Sequence, residues 1–547
     1  MKTFFLLVLL ALLSNHSFAQ ALSTEWIETI PGDGFEQNSS IAQAPCGDIY
    51  TVGFFNGASF GALNNVGTED GFISKYNEQG QLLWVKQLAG SSADRINGIT
   101  IGSDNEIYIV GEFRGKFRYN MDSLVSFDQL DVLVAKIDSS GNFQWATSAT
   151  GWGYESAYDI SLSSNGNLLI TGYYENNLDF GPFSLLANSL RDVFIMAIDQ
   201  QGNPLWLETL SGPGVEYGRS IATDTSNNIY ITGVFRDFLY PNGGTLPGFG
   251  SYDAFLAKYD AIGQLLWIKA MGGPSADEGY YVNIDNKQNV VLVGWYDRSM
   301  QIDTLTLNGS KEEDGFAAKF APNGDLIWAI PLAGSFDERV YAIDFDANDD
   351  IYLLGTVDSL LVIGGDSLTN RHLNRPTDIF IIKLDEASNY QWGQTLGHYY
   401  NDFCYDLVVQ DPTTLYVVGS YQDTSIFIND TLISQSGYDI FVGKFNIDTT
   451  VSVRQIPNAS LSDVAQIKLY PNPSIKGKST LEYTLTQETD VAISVYDLLG
   501  QELYKSTLKN QTVGIHQTKI QLPRVVGVYF VRLETESGFQ VLELIHQ

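Results

Sequence analysis

A tryptophan recurs along this chain at nearly constant intervals. Successive tryptophans are 58, 61, 61, 61, 61 and 64 residues apart, and a glycine follows each of them after 27 residues. Seven copies of one unit therefore make up most of the 547 residues, and such units bury their apolar faces by stacking on one another. The tryptophans are Trp26, Trp84, Trp145, Trp206, Trp267, Trp328 and Trp392, and the glycines are Gly53, Gly111, Gly172, Gly233, Gly294, Gly355 and Gly419.

Each unit reads as four short strands without a helix. From Trp206 onward, apolar or β-branched runs such as 229–233 and 254–260 alternate with turns rich in Gly, Asn, Asp and Ser. Seven four-stranded units predict an all-β fold, a seven-bladed β-propeller over residues 22–446. A β-solenoid is the alternative, although its coils are usually far shorter than 61 residues.

The two ends of the repeat array predict a ring closed by the N-terminal strand. The seventh unit has a third strand at 439–445, but Val453 stands where its tryptophan is due. The missing strand lies at the other end, around Trp26, and pairing the two removes two open sheet edges. We expect the Trp26 indole near Lys444, because most other units have a lysine nine residues before the tryptophan, across a hairpin.

The length of the unit varies only in the excursion between its second and third strands. From each repeat glycine to the aspartate that opens the third strand the distance is 17, 20, 20, 20, 20, 23 and 20 residues. Variable loops on a constant scaffold are where binding usually occurs, so we expect the functional surface on this excursion face. The aspartates are Asp70, Asp131, Asp192, Asp253, Asp314, Asp378 and Asp439.

Two sequence motifs recur in these units. One is D-x-F-x-x-K-[YFIL], as at 253–259, followed by G-x-x-x-W at 263–267, and the other is the I-Y-x-x-G strand at 229–233. In both motifs residues 22–447 resemble the SBBP repeats of secreted bacterial β-propellers. Ala197 departs from the pattern, because six units have lysine there. The resemblance implies the propeller fold and offers almost nothing about a ligand.

A carboxylate lies ten residues after every repeat tryptophan, just before the innermost strand. In one interpretation, each accepts backbone N–H bonds in a turn that recurs in every unit. In the other, the seven form a ring at the channel mouth that attracts a cation or a basic ligand. These candidate ligand-binding residues are Glu36, Asp94, Glu155, Glu216, Asp277, Glu338 and Asp402.

Trp152 and Trp295 stand outside the repeat register, near the excursion face. Aromatic side chains there can hold a sugar or a peptide, or can simply pack between units. No G-x-S-x-G or H-E-x-x-H motif is present, and the acidic stretch 344–350 lacks the glycine and glutamate of a calcium loop. We therefore predict no catalytic residue, metal or cofactor. Cys46 and Cys404 fall on opposite faces of the predicted ring and should be free thiols.

Residues 1–21 read as a secretory signal peptide, with Lys2, an apolar stretch at 4–13 and small residues at 17–19. No later segment is apolar over the length that a transmembrane helix needs. The formal net charge of −33 argues against a nucleic-acid partner, since phosphates would be repelled. We expect an exported protein that passes through the periplasm.

A polar linker at 447–466 leads to a different module at 467–547, which we predict to be a small β-sandwich. Its Y-P-N-P, Y-D-L-L-G and G-x-Y-x-x-x-L motifs resemble the type A C-terminal sorting domain of the type IX secretion system of Bacteroidota. The resemblance implies recognition by the type IX machinery, then release or attachment at the cell surface. The motif residues are Tyr470, Pro471, Asn472, Pro473, Tyr496, Asp497, Gly500, Gly527 and Tyr529.

Two functional hypotheses follow. The first is a non-catalytic exported propeller that binds or displays a surface glycan or a protein. The second is a propeller enzyme, either glycan-active or similar to the quinone-dependent dehydrogenases, whose repeats have a sequence motif similar to this one. Fold alone does not decide between them. Reconstitution with pyrroloquinoline quinone and an assay of dye reduction tests the dehydrogenase case.

Overall fold

The computed structural model describes residues 22–334, 336–363, 366–370, 376–428, 430–447, 463–475, 478–496, 502–521, 527–535 and 538–546. Strands are the main secondary structure of these residues, with a short 3-10 turn at Pro241–Gly243, which confirms the all-β prediction. One compact unit spans Ala21–Thr449, and the C-terminal strands belong to a second. The predicted signal peptide at 1–21, Val453 and most of the linker at 447–466 lie outside the described residues.

The first unit consists of seven antiparallel four-stranded sheets, each hydrogen-bonded in the order first to fourth strand. We number them in chain order. Their strands are Glu36–Gln43, Ile49–Phe55, Asp70–Tyr76 and Leu82–Leu88 in sheet 1; Asp94–Ile101, Ile107–Phe113, Asp131–Ile137 and Phe143–Ala149 in sheet 2; Ser156–Leu162, Leu168–Tyr174, Asp192–Ile198 and Pro204–Leu210 in sheet 3; Tyr217–Thr223, Ile229–Leu239, Leu246–Tyr259 and Leu265–Met271 in sheet 4; Asp277–Ile284, Val290–Ile302, Leu305–Phe320 and Leu326–Gly334 in sheet 5; Glu338–Phe345, Ile351–Val357, Asp378–Leu384 and Tyr390–Leu396 in sheet 6; and Asp402–Asp411, Thr414–Phe427, Asp430–Ile447 and Leu22–Ile30 in sheet 7.

The N-terminal strand completes sheet 7. Leu22–Ile30 pairs antiparallel with Asp430–Ile447, and Trp26 lies directly opposite Lys444. This confirms the predicted partner of the Trp26 strand. The first strands of the sheets also contact one another in series, each against that of the next sheet, and the first strand of sheet 7 contacts that of sheet 1. At that junction the Asp406 carboxylate accepts hydrogen bonds from Ser40 Oγ (2.7 Å) and Ile41 N–H (3.1 Å).

The repeat glycine lies on the second strand, opposite a bulge in the first. In sheet 1 the pairing register shifts between Asn38 and Ser40, and this pushes the Gln37 carbonyl towards Gly53. A Cβ added at Gly53 would lie 1.9 Å from that oxygen, which explains why the position takes only glycine. The second strands of sheets 1, 2, 3 and 6 are buried along their whole length, so they read as apolar runs rather than as alternating patterns.

The repeat tryptophan joins one sheet to the next. Trp145 of sheet 2 donates its indole N–H to the Gln200 carbonyl of sheet 3 (3.0 Å), and its six-membered ring lies against the turn glycine Gly202. Trp26, Trp267 and Trp328 make equivalent hydrogen bonds to the tight turns of the following sheets. The tryptophan therefore recurs because the sheets use the same contact with their neighbours.

Six units have a lysine opposite the tryptophan, and in five of them its ammonium group lies over a tyrosine of the second strand. Lys258 pairs with Trp267 across the hairpin, but its ammonium group lies 4.8 Å from the ring centroid of Tyr230 on the second strand. Lys444 lies over Tyr416 in the same way, at 5.8 Å. Trp26 and Lys444 are cross-strand neighbours, as predicted, but the cation–π contact of the lysine is with the tyrosine of the second strand.

The excursions take two forms. In sheets 1, 2, 3 and 6 they carry two-stranded hairpins, whereas in sheets 4, 5 and 7 the second and third strands extend into the excursion themselves. The hairpin of sheet 6 pairs with the fourth strand of sheet 5 and so extends that sheet to six strands. Several excursions pair with the end of the fourth strand of the preceding sheet, as Phe117 pairs with Gly90. The hairpins are Ser59–Phe60 with Leu63–Asn64, Lys116–Tyr119 with Asp122–Val125, Asn177–Phe180 with Phe183–Leu186, and Leu360–Ile363 with Asp366–Thr369.

The C-terminal unit has two groups of strands around one core. Val464–Ile475, Lys478–Leu485 and Gly514–Gln521 form the first group, and the remaining strands form the second. A single parallel bridge between Ser474 and His546 links them. The remaining strands are Glu502–Gln511, Thr489–Tyr496, Gly527–Thr535 and Gly538–His546.

The predicted sorting residues fall on several of these strands. Tyr470 is exposed and donates its hydroxyl to Glu482 (2.9 Å), whereas Tyr529 is buried in the core of the C-terminal unit. Pro471, Asn472 and Pro473 lie on the first strand, Tyr496 ends Thr489–Tyr496, and Gly527 begins Gly527–Thr535. Asp497 and Gly500 lie outside the described residues.

Both cysteines are free, as predicted. Cys46 is exposed, and Cys404 is buried with its thiol 3.3 Å from the Gly355 carbonyl oxygen, to which it donates. Burial raises the pKa of the Cys404 thiol well above its usual value. The Cys404 side chain therefore serves as a small apolar residue of the core.

Candidate functional site: paired carboxyl groups and an exposed aromatic pair

The seven carboxylates that follow the repeat tryptophans lie at the start of the first strands and have no exposed surface. Most accept the N–H of the residue four positions earlier. The N–H groups of Gly90 and Gly273 donate to Asp94 and Asp277 at 2.6 Å, and that of Gly212 donates to Glu216 at 3.3 Å. The groups that accept these N–H bonds cap the turn before the first strand.

The aspartates that open the third strands are buried as well. Most lie at the end of an excursion and accept the N–H of the residue four positions earlier, as Phe127 donates to Asp131 (2.8 Å) and Asn188 to Asp192 (2.8 Å). They hold the returning end of the excursion against the sheet, the role of an Asx turn.

The two sets of carboxyl groups meet at the boundary between neighbouring sheets. A Cβ added at Gly397 would lie 2.6 Å from an oxygen of Asp402 and 2.7 Å from an oxygen of Asp378. At the boundary between sheets 7 and 1, the amides of a single turn donate to Asp439 and to Glu36. The seven pairs are Asp439–Glu36, Asp70–Asp94, Asp131–Glu155, Asp192–Glu216, Asp253–Asp277, Asp314–Glu338 and Asp378–Asp402.

Six of the seven units have a glycine six residues after the tryptophan, four residues before the first of the paired carboxyl groups. A Cβ at Gly90 would lie 2.2 Å from the Lys116 carbonyl oxygen, because the excursion of the next sheet crosses there. His398 holds the seventh position and donates its N–H to Asp402 (3.3 Å). Sequence reasoning missed this glycine, although its spacing from the tryptophan is constant in the six units that have it.

Burial raises the pKa of all seven carboxyl groups that follow the repeat tryptophans, which we call the first set, and a neighbouring aspartate adds to the effect. The pKa of Asp94 rises to about 7, that of Glu36 to about 8 and that of Glu155 to about 9. Loss of hydration is the largest cause in each case, since it disfavours the charged form. The pKa of Asp277 rises to about 8, those of Glu216 and Glu338 rise to about 9, and that of Asp402 rises well above its usual value.

Trp152 forms an exposed aromatic pair with Phe127. Their side chains are 58% and 60% exposed, and their ring centroids are 4.9 Å apart in an edge-to-face arrangement. Two asparagines hold the Trp152 backbone: its N–H donates to Asn177 Oδ1 (3.1 Å), and its carbonyl accepts from Asn176 Nδ2 (2.6 Å). The loop is thus fixed while the indole faces solvent.

Trp295 belongs to a different environment. It lies partly buried on the second strand of sheet 5, with the Arg339 guanidinium 5.3 Å from its ring centroid. Arg339 also forms an ion pair with Glu313, which neutralises its charge. Trp295 therefore packs within the sheet array and is not part of the exposed pair.

A row of tyrosines along consecutive first strands was not foreseen from the sequence. The Arg219 guanidinium lies 5.1 Å from the ring centroids of Tyr158 and Tyr217 and pairs with Glu278. Tyr280 and Tyr341 continue the row, with centroids 5.0 Å apart. These contacts tie neighbouring first strands together. The signal was a tyrosine 13 residues after the repeat tryptophan in four units, at Tyr158, Tyr280, Tyr341 and Tyr405.

The described residues contain no group of three or more His, Cys, Asp or Glu side chains that could hold a metal ion. In the acidic stretch 344–350, the Asp346 carboxylate accepts the N–H groups of Asn348 and Asp350 and pairs with Lys383 (3.1 Å). The stretch is a hairpin turn in which the Lys383 ammonium group pairs with the Asp346 carboxylate.

Residues 468–547 match the family of secretion system C-terminal sorting domains. Among curated proteins, the chain is similar to an uncharacterized WD repeat-containing protein, L264, of Acanthamoeba polyphaga mimivirus, at 23% identity over 73% of this chain and 35% of that protein. It is also similar to the regulatory protein FlaEY of Caulobacter vibrioides, at 23% identity over 39% of this chain and 23% of FlaEY. The chain thus spans about a third and about a quarter of these relatives.

Two solved structures illustrate the structural similarities. The extracellular domain of the putative one component system BT4673 from B. thetaiotaomicron is 10% identical, with 95% of this chain and 98% of that chain covered and a TM-score of 0.15. A mutant of the Synechocystis apocarotenoid oxygenase is 10% identical, with 90% and 97% covered and a TM-score of 0.36. TM-scores this low carry no argument about fold or function.

The sorting domain indicates where the protein is exported. A C-terminal domain of this kind directs export by the type IX machinery to the cell surface, as predicted. Across the described part of the chain, no helix is long and apolar enough to cross a membrane.

Proposed function

We propose that this protein is a non-catalytic, seven-bladed β-propeller of the SBBP kind, closed by its N-terminal strand and displayed or released at the cell surface as a binding protein. Seven similar four-stranded sheets, first strands in serial contact and the pairing of Leu22–Ile30 with Asp430–Ile447 support the closed propeller. Residues 22–446 would form the binding domain, 447–466 the linker and 467–547 the sorting domain.

The observation that supports binding is the exposed pair of Phe127 and Trp152. Large aromatic side chains usually lie in cores, and an exposed pair on a fixed loop is typical of a recognition surface. Phe127 lies at the end of the sheet 2 excursion, and Trp152 lies in the loop that leads from the fourth strand of sheet 2 to the first strand of sheet 3. We assign ligand contact to this pair rather than to the seven buried carboxyl groups.

A neutral surface glycan is the ligand class that this surface fits best. The flat indole can pack against the apolar face of a sugar ring, and the side chains of Asn176 and Asn177 are amides beside it that can bond hydroxyl groups. The formal charge of −33 disfavours an acidic polysaccharide. A protein ligand is the other outcome that the following experiment distinguishes.

The test is binding of full-length protein to an array of neutral and acidic glycans, compared with Trp152→Ala. Removing a central aromatic contact should weaken binding by roughly 30-fold or more. Tyr240→Ala is the matched control, because Tyr240 is also exposed in an edge-to-face pair, with Phe238 at 5.4 Å, on another sheet. Equal binding by wild type and Trp152→Ala, or binding only to proteins, would contradict the assignment.

A further inference from the structure

The pair of Asp131 and Glu155 contains more buried acceptor oxygens than donors. Neither oxygen of Glu155 receives an N–H or O–H bond from the described residues, and both are shielded from water. The Asp131 carboxyl group lies within hydrogen-bonding distance of Glu155. Two ionised carboxylates in contact without water or a cation would repel each other strongly.

Within the described part of the chain, the charged groups around Glu155 do not offset this repulsion. Those that act on it are Asp131, Asp128 and Glu175, all of them acids, and Arg191 is already paired with Glu175 at 2.8 Å. A proton between the two carboxyl groups satisfies both, because a protonated carboxyl group donates one hydrogen bond. The aspartic-protease dyad shows the same principle of two carboxyl groups sharing one proton.

The pair of Asp192 and Glu216 repeats this arrangement, since its two carboxyl groups also lie within hydrogen-bonding distance of each other. In the other five pairs the aspartate acts on the first-set carboxyl group through its charge, and in all six the charged groups with a marked effect on that group are again acids. These acids are Asp33 and Asp439 for Glu36, Asp70 for Asp94, Asp192 for Glu216, Asp253 and Asp297 for Asp277, Asp314, Asp337 and Asp358 for Glu338, and Asp378 for Asp402.

We propose that the Asp131–Glu155 and Asp192–Glu216 pairs each hold one proton between their two carboxyl groups, so that the folded protein binds about two protons at these pairs that the unfolded chain releases near neutral pH. At neutral pH the protein then carries about two fewer negative charges at these pairs than its formal −33 assumes. These two boundaries between sheets become sites where proton binding and folding are coupled.

The sign of the pH dependence follows from the raised pKa values. The pKa of Glu155 is about 9 in the folded protein against an ordinary 4.5. Below pH 4.5 both states hold the proton and its stabilising contribution is complete; as pH rises towards 9, the folded state alone holds it and stability falls. For each such proton, the unfolding equilibrium constant increases by up to about tenfold for every unit by which the pH rises in this window.

Proton release on unfolding tests the proposal directly. Full-length protein is transferred at pH 6.5 into weakly buffered guanidinium chloride with an indicator dye, and Glu155→Gln is treated identically. The side-chain amide that this substitution introduces can donate to Asp131 as the protonated acid does, so the variant should fold and should release about one proton fewer. Glu78→Gln, at an exposed carboxylate in a turn, is the control and should release as many protons as wild type.

The denaturation midpoint of wild type should also fall steadily from pH 6 to pH 9. Glu216→Gln is the second variant if Glu155→Gln does not fold. Equal proton release by wild type and the folded variant, or a midpoint that does not change between pH 6 and pH 9, would overturn the proposal. So would destabilisation by EDTA at pH 7, because the pairs would then hold a metal ion instead of protons.

Discussion

At the scale of single residues, the turn before the repeat tryptophan depends, in sheets 1 to 5, on a glycine that touches the tryptophan of the preceding sheet. Gly202 has a φ of 82°, and an added Cβ would lie 3.1 Å from Trp145. Gly202→Ala should lower the free energy of unfolding by about 1–3 kcal/mol, because alanine is strained in this conformation. Urea denaturation measures the change.

Gly102→Ala is the matched control for this substitution. Gly102 also lies in a tight turn, but its φ lies outside the left-handed region, and an added Cβ would meet nothing closer than Leu162, at an ordinary 3.6 Å. It should change the free energy of unfolding by less than about 1 kcal/mol. Equal losses at both positions would show that the indole contact and the positive φ do not matter.

The sequence makes such residues visible but does not identify their partners. The constant spacing of Trp145 and its counterparts predicts a repeated role, yet spacing along the chain cannot tell which sheet an indole touches. For the same reason the sequence places Lys258 beside Trp267 but does not show that its ammonium group lies over Tyr230. The burial of Glu155 and the exposure of Trp152 likewise depend on the neighbouring sheet.

At the scale of elements, the strand Leu22–Ile30 should contribute strongly to stability. It covers the edge of Asp430–Ile447 and buries Leu22 and Ile30 in two different apolar clusters. Deleting residues 22–30 should lower the melting temperature by about 10 °C or more and promote aggregation through the exposed edge. Calorimetry and light scattering measure the two effects.

Ser23→Ala is the control for this deletion. Ser23 is exposed on the same strand and contributes little apolar surface, so its substitution should leave the melting temperature within about 2 °C of wild type. An unchanged melting temperature after the deletion would contradict closure by this strand.

The conformation of the excursions could not be predicted from the sequence. Their position between the second and third strands follows from the constant spacing elsewhere, but their form does not. A separate hairpin or an extended strand depends on how the excursion meets the preceding sheet, as where Gln301 pairs with Gly272 and Phe117 with Gly90. Long-range contacts of this kind have no signature in a local pattern.

At the scale of the whole molecule, the two compact units differ in charge and have separate interiors. Residues 466–547 carry eight Lys and Arg and eight Asp and Glu, so nearly all of the net charge of −33 belongs to the first unit. The C-terminal strands enclose a core of their own, which includes Leu481, Ile493 and Leu533. Each unit therefore has the apolar interior that an independently folding domain needs.

Because this core is separate, the first unit should fold without the second. We predict that a chain ending at residue 466 keeps the melting temperature of the first unit within about 2 °C, since none of its seven sheets uses a strand from the C-terminal unit. Calorimetry of the shortened and full-length proteins measures this. A shortened chain that is unfolded or aggregated would contradict the division at 447–466.

The C-terminal unit should also act without the first. A fusion of residues 447–547 to an exported fluorescent protein should reach the surface of a bacterium that has the type IX machinery, because the matched sorting domain lies wholly within residues 468–547. The same fluorescent protein without these residues is the control and should stay in the periplasm. Surface fluorescence and its removal by external protease provide the measurement. If the fusion stays in the periplasm while an established sorting domain carries the same passenger out, residues 447–547 are not sufficient, and sorting would then need a surface of the first unit as well.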